Sequence, residues 1–156
     1  MKARISILAV LLALLNSGFV VAQHHLLSLS SKDAQLELSL NHLDKLEQVS
    51  FTTSTIWTDG EVQFSGVPLS VVLNAADAKG SLLRMVALND YAVEMPMDEI
   101  GQTSPIVATR MNGEPMTVRG KGPFWIVYPY DLDPQFRTEA VFARSIWQLR
   151  KLSIKD

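Results

Sequence analysis

The chain has 156 residues, a formal net charge of −2 and no cysteine. This length fits one domain of common size. The slightly acidic balance argues against nucleic acid as a partner, because nucleic-acid-binding domains concentrate positive charge. The lack of cysteine excludes a thiolate nucleophile, a redox-active dithiol and a thiolate ligand to a metal.

The first 22 residues have the pattern of an export signal. Two basic residues precede the apolar run from Ile5 to Leu15, and the small residues before Gln23 suit signal peptidase. The run is shorter than the roughly 20 residues that span a bilayer as a helix. We therefore predict a signal peptide over residues 1–22 and a single exported domain over residues 23–156. An exported domain without cysteine fits the bacterial periplasm.

Short apolar or alternating stretches predict many strands and few helices. One good helix is predicted from Pro68, with Leu69, Val72 and Leu73 on its apolar face and Gly80 as its stop. A helical turn is predicted over residues 42–46, and an irregular or partly helical segment over 131–144. This content predicts a mixed α+β domain. The predicted strands cover residues 34–40, 47–53, 82–88, 91–95, 106–111, 115–118, 124–128 and 146–154.

Sequence motifs for common enzyme and metal chemistries are lacking. The sequence has neither a nucleophile elbow nor a phosphate-binding glycine loop. Its three histidines do not have zinc or iron spacing. A mature terminus Gln23-His24-His25 would offer nitrogen ligands to Cu(II), but a plain disordered terminus next to the cleavage site is the favoured interpretation. Hydrolase, kinase and dehydrogenase activities are therefore disfavoured.

Three polar and aromatic clusters lie at predicted strand ends, where ligands are often held above a rigid scaffold. They offer aromatic faces, amide and carboxylate groups and a guanidinium, which together suit a flat, nitrogen-rich heterocycle. The alternative is structural: the tryptophans would anchor the core, and Asn89-Asp90 would be a plain turn. The clusters are residues 53–59 around Trp57, Asn89-Asp90-Tyr91, and Arg144-Ser145-Ile146-Trp147.

The order of several segments is similar to the molybdopterin-binding domain of sulfite oxidase and related periplasmic oxidoreductases. That family has a strand ending in its molybdenum-ligating cysteine, then G-V-P-L at a helix start, N-G-x-P-L, a G-P strand and R-S-x-K-W. The resemblance covers roughly residues 32–155 and implies the sulfite-oxidase-type fold. The matching segments are VSFTT, FSGVPLSVVLNAA, ALNDYAVEMP, MNGEPM, KGPFWIVYP and RSIWQLRKLSI.

The sequence departs from that family at the metal ligand. The resemblance places Thr53 within one residue of the cysteine position, and Ile146 stands where the family has lysine. A threonine hydroxyl does not replace a thiolate at a soft molybdenum centre. The resemblance therefore implies a pterin pocket without molybdenum and without oxo-transfer activity.

The chain is most similar to small, cysteine-free periplasmic members of this fold. The resemblance implies a non-enzymatic pterin-binding protein for a neopterin-type ligand, whose partner is the periplasmic domain of an inner-membrane enzyme of cyclic-di-GMP signalling. It implies that Trp57 stacks on the pterin and that Asp59 or Asp90 meets its guanidine-like edge. The candidate ligand-binding residues are Thr53, Trp57, Thr58, Asp59, Asn89, Asp90, Tyr91, Arg144, Ser145 and Trp147.

Two other functions remain open at this point. One is a molybdopterin-dependent oxidoreductase domain or subunit, and the other is a scaffold module that lost its ligand. If the chain is instead the pterin-binding protein described above, replacing Trp57 or Asp59 by alanine weakens pterin binding and leaves the melting temperature nearly unchanged.

Overall fold

The computed structural model describes residues 25–77 and 79–156. The predicted signal peptide, its cleavage site and the Gln23-His24 terminus lie outside these residues. Within the described ranges, no helix is both long and apolar enough to cross a membrane.

In the part of the chain that the structure describes, ten strands form two five-stranded sheets. They are β1 (Leu26–Ser30), β2 (Gln35–Ser39), β3 (Val49–Ser54), β4 (Glu61–Pro68), β5 (Leu82–Ala87), β6 (Ala92–Pro96), β7 (Ile106–Met111), β8 (Glu114–Pro115), β9 (Trp125–Val127) and β10 (Leu149–Lys155). The first sheet has the order β2-β1-β10-β5-β6. The second has the order β3-β4-β7-β8, and β9 also pairs with β7. Among the strands of the described residues, β1 and β10 pair in parallel, and the other pairs are antiparallel.

The helices of the described chain are short. They are α1 (Leu40–Leu43), α2 (Leu69–Asn74) and α3 (Glu139–Arg144), with 3-10 turns over Met97–Glu99, Val118–Gly120 and Pro134–Phe136. The predicted mixed α+β class, with many short strands and few helices, is confirmed.

Two strands were not predicted, and several boundaries were wrong. β1 lies directly after the predicted export signal, and β4 precedes Pro68, which we interpreted as a helix start. Pro68 is instead the last residue of β4 and the N-cap of α2, which ends at Asn74 rather than near Gly80. The final strand begins at Leu149, so Trp147 lies before it. Local patterns fail here because strand pairing extends β4 to the proline.

Gly66 explains why β4 and β7 approach closely. The pairing of the two strands shifts in register between Ser65 and Gly66. A Cβ atom at Gly66 would lie 2.1 Å from the carbonyl oxygen of Val107. Because that oxygen belongs to the backbone, only glycine fits at this position.

The two sheets contribute to one apolar core. Leu29 and Met85 of the first sheet and Phe64 and Val107 of the second are fully buried in it. This packing brings the end of β3 near the turn between β5 and β6 and near the segment that joins α3 to β10. Those three connections build the site described next.

Candidate functional site

A cavity of about 240 Å³ lies among these three connections. Its lining is mainly aromatic and aliphatic, with a few uncharged polar groups. The lining residues are Trp57, Ala87, Asn89, Tyr91, Phe142, Ala143, Ser145, Ile146 and Trp147.

Each of the three predicted clusters contributes to the cavity. The lining includes five of the candidate residues, which are Trp57, Asn89, Tyr91, Ser145 and Trp147. It does not include the other five, Thr53, Thr58, Asp59, Asp90 and Arg144. The positions of the clusters at strand ends indicated that they lie near one another. They did not indicate which side chains of each cluster face the cavity.

Trp57 is the centre of the aromatic part of the site. Its ring makes edge-to-face contacts with Trp125, Tyr130, Phe142 and Trp147, with centroid separations of 5.7–6.2 Å. We call these five residues the aromatic cluster. Trp125 lies fully buried beneath it and donates its indole N–H to the carbonyl oxygen of Ser145 at 3.1 Å. Trp57 therefore combines a packing role with an exposed portion in the cavity wall.

The threonines after β3 hold the loop that carries Trp57. The Thr55 hydroxyl oxygen accepts the backbone N–H of Trp57 at 3.0 Å. It also lies 2.8 Å from the hydroxyl oxygen of Thr58. Such side-chain-to-backbone bonds fix tight turns in place of regular secondary structure. The hydroxyls of this loop therefore order Trp57, and the Thr58 hydroxyl is used within the loop.

Thr53 and Ser54 at the end of β3 are tied to Asp131. The Asp131 carboxylate accepts the N–H and hydroxyl of Ser54 and the hydroxyl of Thr53, and it pairs with Arg137. The backbone N–H of Asp131 donates in turn to the Thr53 hydroxyl oxygen at 3.1 Å. Thr53 is only 1% exposed. These bonds, which we call the Asp131 latch, anchor the start of the Trp57 loop.

The latch makes part of the free energy of unfolding sensitive to pH in the acid range. Mainly the backbone N–H of Ser54, and then its hydroxyl, lower the pKa of Asp131 from 3.8 to about 2. A carboxyl whose pKa is lower in the folded state stabilises the fold above its unfolded pKa, and this contribution is lost as pH falls through the folded value. We expect Asp131→Asn to reduce the fall in the free energy of unfolding between about pH 4 and pH 2.

Urea denaturation at several pH values in that range would measure this effect. Asp59→Asn is the matched control, since Asp59 is an exposed acid in the Trp57 loop that the latch anchors. An Asp131→Asn profile with the same acid slope as the wild type would contradict the latch.

The three charged candidate residues lie outside the cavity lining. Asp59 is exposed beside Gly60, and Asp90 pairs with Arg150. Arg144 pairs with Glu99, and its side chain is 17% exposed. None of the three lines the cavity, so contact between the ligand and these residues remains a prediction.

Ser145 lines the cavity, but its polar atoms are used within the protein. Its hydroxyl accepts the Tyr130 O–H at 2.6 Å and donates to the carbonyl oxygen of Val141 at 2.8 Å. Burial raises the pKa of Tyr130 to about 12, so this phenol is neutral. Ser145 thus joins the end of α3 to the aromatic cluster.

The sequence analysis missed three lining residues, which are Ala87, Phe142 and Ala143, and it placed Ile146 in a cluster without naming it as a ligand-binding candidate. Phe142 and Ala143 lie in α3, which we had interpreted only as an irregular or partly helical segment. The missed signal is Thr138 followed by Glu139, because threonine caps helices and an acid suits the first turn. The Thr138 hydroxyl oxygen does accept the Val141 N–H.

Residues 19–131 match the model of the oxidoreductase molybdopterin binding domain family, which is more than half of the chain. The chain belongs to that family. A comparison with curated proteins found no match.

Among solved structures, the chain is similar to the sulfane dehydrogenase SoxCD from Paracoccus pantotrophus, with a TM-score of 0.65 and 20% sequence identity. The similarity covers 85% of this chain and 38% of that one, so the chain spans well under half the length of this relative. The predicted sulfite-oxidase-type molybdopterin-binding fold is thereby confirmed.

The donor set of this family member does not fit a molybdenum centre. The sequence has no cysteine, and the Thr53 hydroxyl is buried and engaged by Asp131. Hard hydroxyl oxygens are poor substitutes for the soft thiolate that the resemblance places here. Within residues 25–77 and 79–156, no group of three or more His, Asp or Glu residues is placed to hold a metal ion.

Proposed function

We propose that this chain is a non-enzymatic pterin-binding protein of the oxidoreductase molybdopterin binding domain family. The observation that carries the proposal is an aromatic-lined cavity in a family member that has no thiolate to ligate molybdenum. Stacking of a flat heterocycle on one aromatic side chain contributes about 1–3 kcal/mol for nucleobases. Trp57 and Trp147 both offer ring surface of this kind to the cavity.

The proposed biological role is that of a ligand sensor. After export through its signal peptide, the protein would bind a neopterin-type pterin in the periplasm. It would report the ligand to the periplasmic domain of an inner-membrane enzyme of cyclic-di-GMP signalling. The support for this role is the resemblance to small, cysteine-free family members and the export pattern of residues 1–22.

The second candidate is a molybdopterin-dependent oxidoreductase domain or subunit. The family assignment favours it, since the family is named for oxidoreductases. The lack of cysteine disfavours it, because a thiolate ligand to the metal would have to come from another chain.

Measuring the neopterin affinity of variants at two adjacent residues tests the proposal. Asn89 lines the cavity, whereas its neighbour Asp90 does not. We expect neopterin to bind the wild type, and Asn89→Ala to weaken binding roughly 2- to 10-fold, as for the loss of one hydrogen bond. Asp90→Asn is the matched control and should bind as the wild type does. Calorimetric titration would measure the affinities.

Metal analysis of protein purified from its native compartment distinguishes the two candidates. Bound pterin fluorescence without molybdenum supports the sensor. Stoichiometric molybdenum would favour the oxidoreductase, and a protein that ignores added pterins would favour a scaffold.

A further inference from the structure

The cavity lining that the structure describes carries no formally charged side chain. Three cations lie beside lining residues, and each is already engaged. Arg144 pairs with Glu99, and the Lys121 ammonium lies 5.8 Å from the ring centroid of Trp147. Arg150 pairs with Asp90 and donates to the carbonyl oxygen of Ala87 at 2.9 Å. An anion that entered the cavity would lose its hydration without gaining a cation among the lining groups, which is costly.

Two acceptor groups of the cavity lining, a carbonyl oxygen and a side-chain amide oxygen, are satisfied by Tyr91. The Tyr91 hydroxyl donates to the carbonyl oxygen of Ala143 at 3.1 Å, and its backbone N–H donates to the Asn89 side-chain oxygen at 3.1 Å. Ala143 lies in the last turn of α3, where carbonyl groups have no helical N–H partner. Tyr91 is 49% exposed, so its ring can leave without disturbing the core.

We propose that the cavity selects an uncharged, flat heterocycle with N–H donors over the phosphorylated form of the same molecule, and that the Tyr91 hydroxyl holds the place of a ligand N–H on the Ala143 carbonyl. This inference rests on the proposed function and names the class of ligand that the site accepts. It implies that free pterins bind, whereas pterins that carry a phosphate, as molybdopterin does, are rejected.

The size of the cavity agrees with this selection. Its volume of about 240 Å³ is below the roughly 300–1,000 Å³ of most ligand pockets. Such a space suits one fused ring system with a short substituent.

Paired ligands that differ only in a phosphate test the selection. We expect neopterin to bind the wild type at least roughly 10-fold more tightly than neopterin monophosphate, because a phosphate that contacts this lining loses hydration and meets no cation among the lining groups. Equal or tighter binding of the monophosphate would overturn the inference while leaving the proposed function intact.

Guanine and its nucleotide GMP form a second pair that does not depend on pterin. Guanine presents a similar donor edge without being a pterin. If pterins fail to bind but guanine binds better than GMP, the proposed function is wrong and the selection stands. If none of the four ligands binds, both are overturned.

The placeholder role of Tyr91 is tested by Tyr91→Phe, which keeps the ring and removes the hydroxyl. We expect the affinity for neopterin to rise about 2- to 10-fold, since the Ala143 carbonyl no longer has a competing donor. The matched control is Tyr128→Phe, which removes a buried hydroxyl that bonds Met95 away from the cavity and should leave the affinity unchanged. A lower affinity of Tyr91→Phe would show that the hydroxyl bonds the ligand directly and would overturn this part.

Discussion

Replacing Trp57 by alanine is expected to lower the free energy of unfolding by about 2–4 kcal/mol, and also to remove most of the pterin binding. The physical reason is the position of the ring at the centre of the aromatic cluster, where it packs edge-to-face on four other rings. The estimate is below the value for a fully buried aromatic residue because Trp57 is only half-buried. Urea denaturation followed by circular dichroism would measure the loss.

Trp57→Phe separates packing from stacking. A phenyl ring keeps part of the edge-to-face packing, so this variant should regain much of the lost stability while its affinity for neopterin stays below that of the wild type. An alanine variant as stable as the wild type would contradict the packing role of Trp57 in the aromatic cluster and would favour the ligand-stacking role that the family resemblance implied.

Replacing Ser145 by alanine is expected to lower the free energy of unfolding by about 1–3 kcal/mol. The change leaves the Tyr130 hydroxyl without its acceptor, and Tyr130 is only 2% exposed. Val141 loses a hydroxyl donor to its carbonyl group at the same time. The measurement is again chemical denaturation, with neopterin affinity recorded on the folded variant.

A double variant tests this explanation of the Ser145 effect. Tyr130→Phe removes the stranded hydroxyl, so Ser145→Ala with Tyr130→Phe should be at least as stable as Ser145→Ala alone. Replacing both partners of a buried hydrogen bond by apolar groups is generally cheaper than removing one. Strict additivity of the two single effects would contradict a coupled Tyr130–Ser145 bond.

Much of the fold was predictable because its signals are local. The predicted strands over residues 34–40 and 106–111 coincide closely with β2 and β7, whereas the predicted strand over 115–118 shares only Pro115 with β8. β4 was missed because its end, Gly66-Val67-Pro68, is locally typical of a helix start. Its pairing with β3 and β7 overrides that preference.

The candidate site was predictable as three clusters but not as a set of inward-facing side chains. Asn89 and Asp90 are adjacent polar residues of one turn, and no local pattern says which faces the cavity. The structure turns Asn89 and Tyr91 toward it and pairs Asp90 with Arg150, 60 residues away in the chain.

The sequence by itself determined that no thiolate chemistry is open to this chain, that its elements are mostly strands, and that aromatic and polar residues gather at strand ends. These properties depend on composition and short-range pattern. Only the tertiary structure decided which polar groups remain for a ligand. Thr53 is bonded by Asp131, 78 residues away, and Arg144 by Glu99, 45 residues away. Such partners meet only when segments that are distant in the chain pack together. The sequence could therefore name the candidate groups but not the hydrogen bonds and ion pairs that already occupy them.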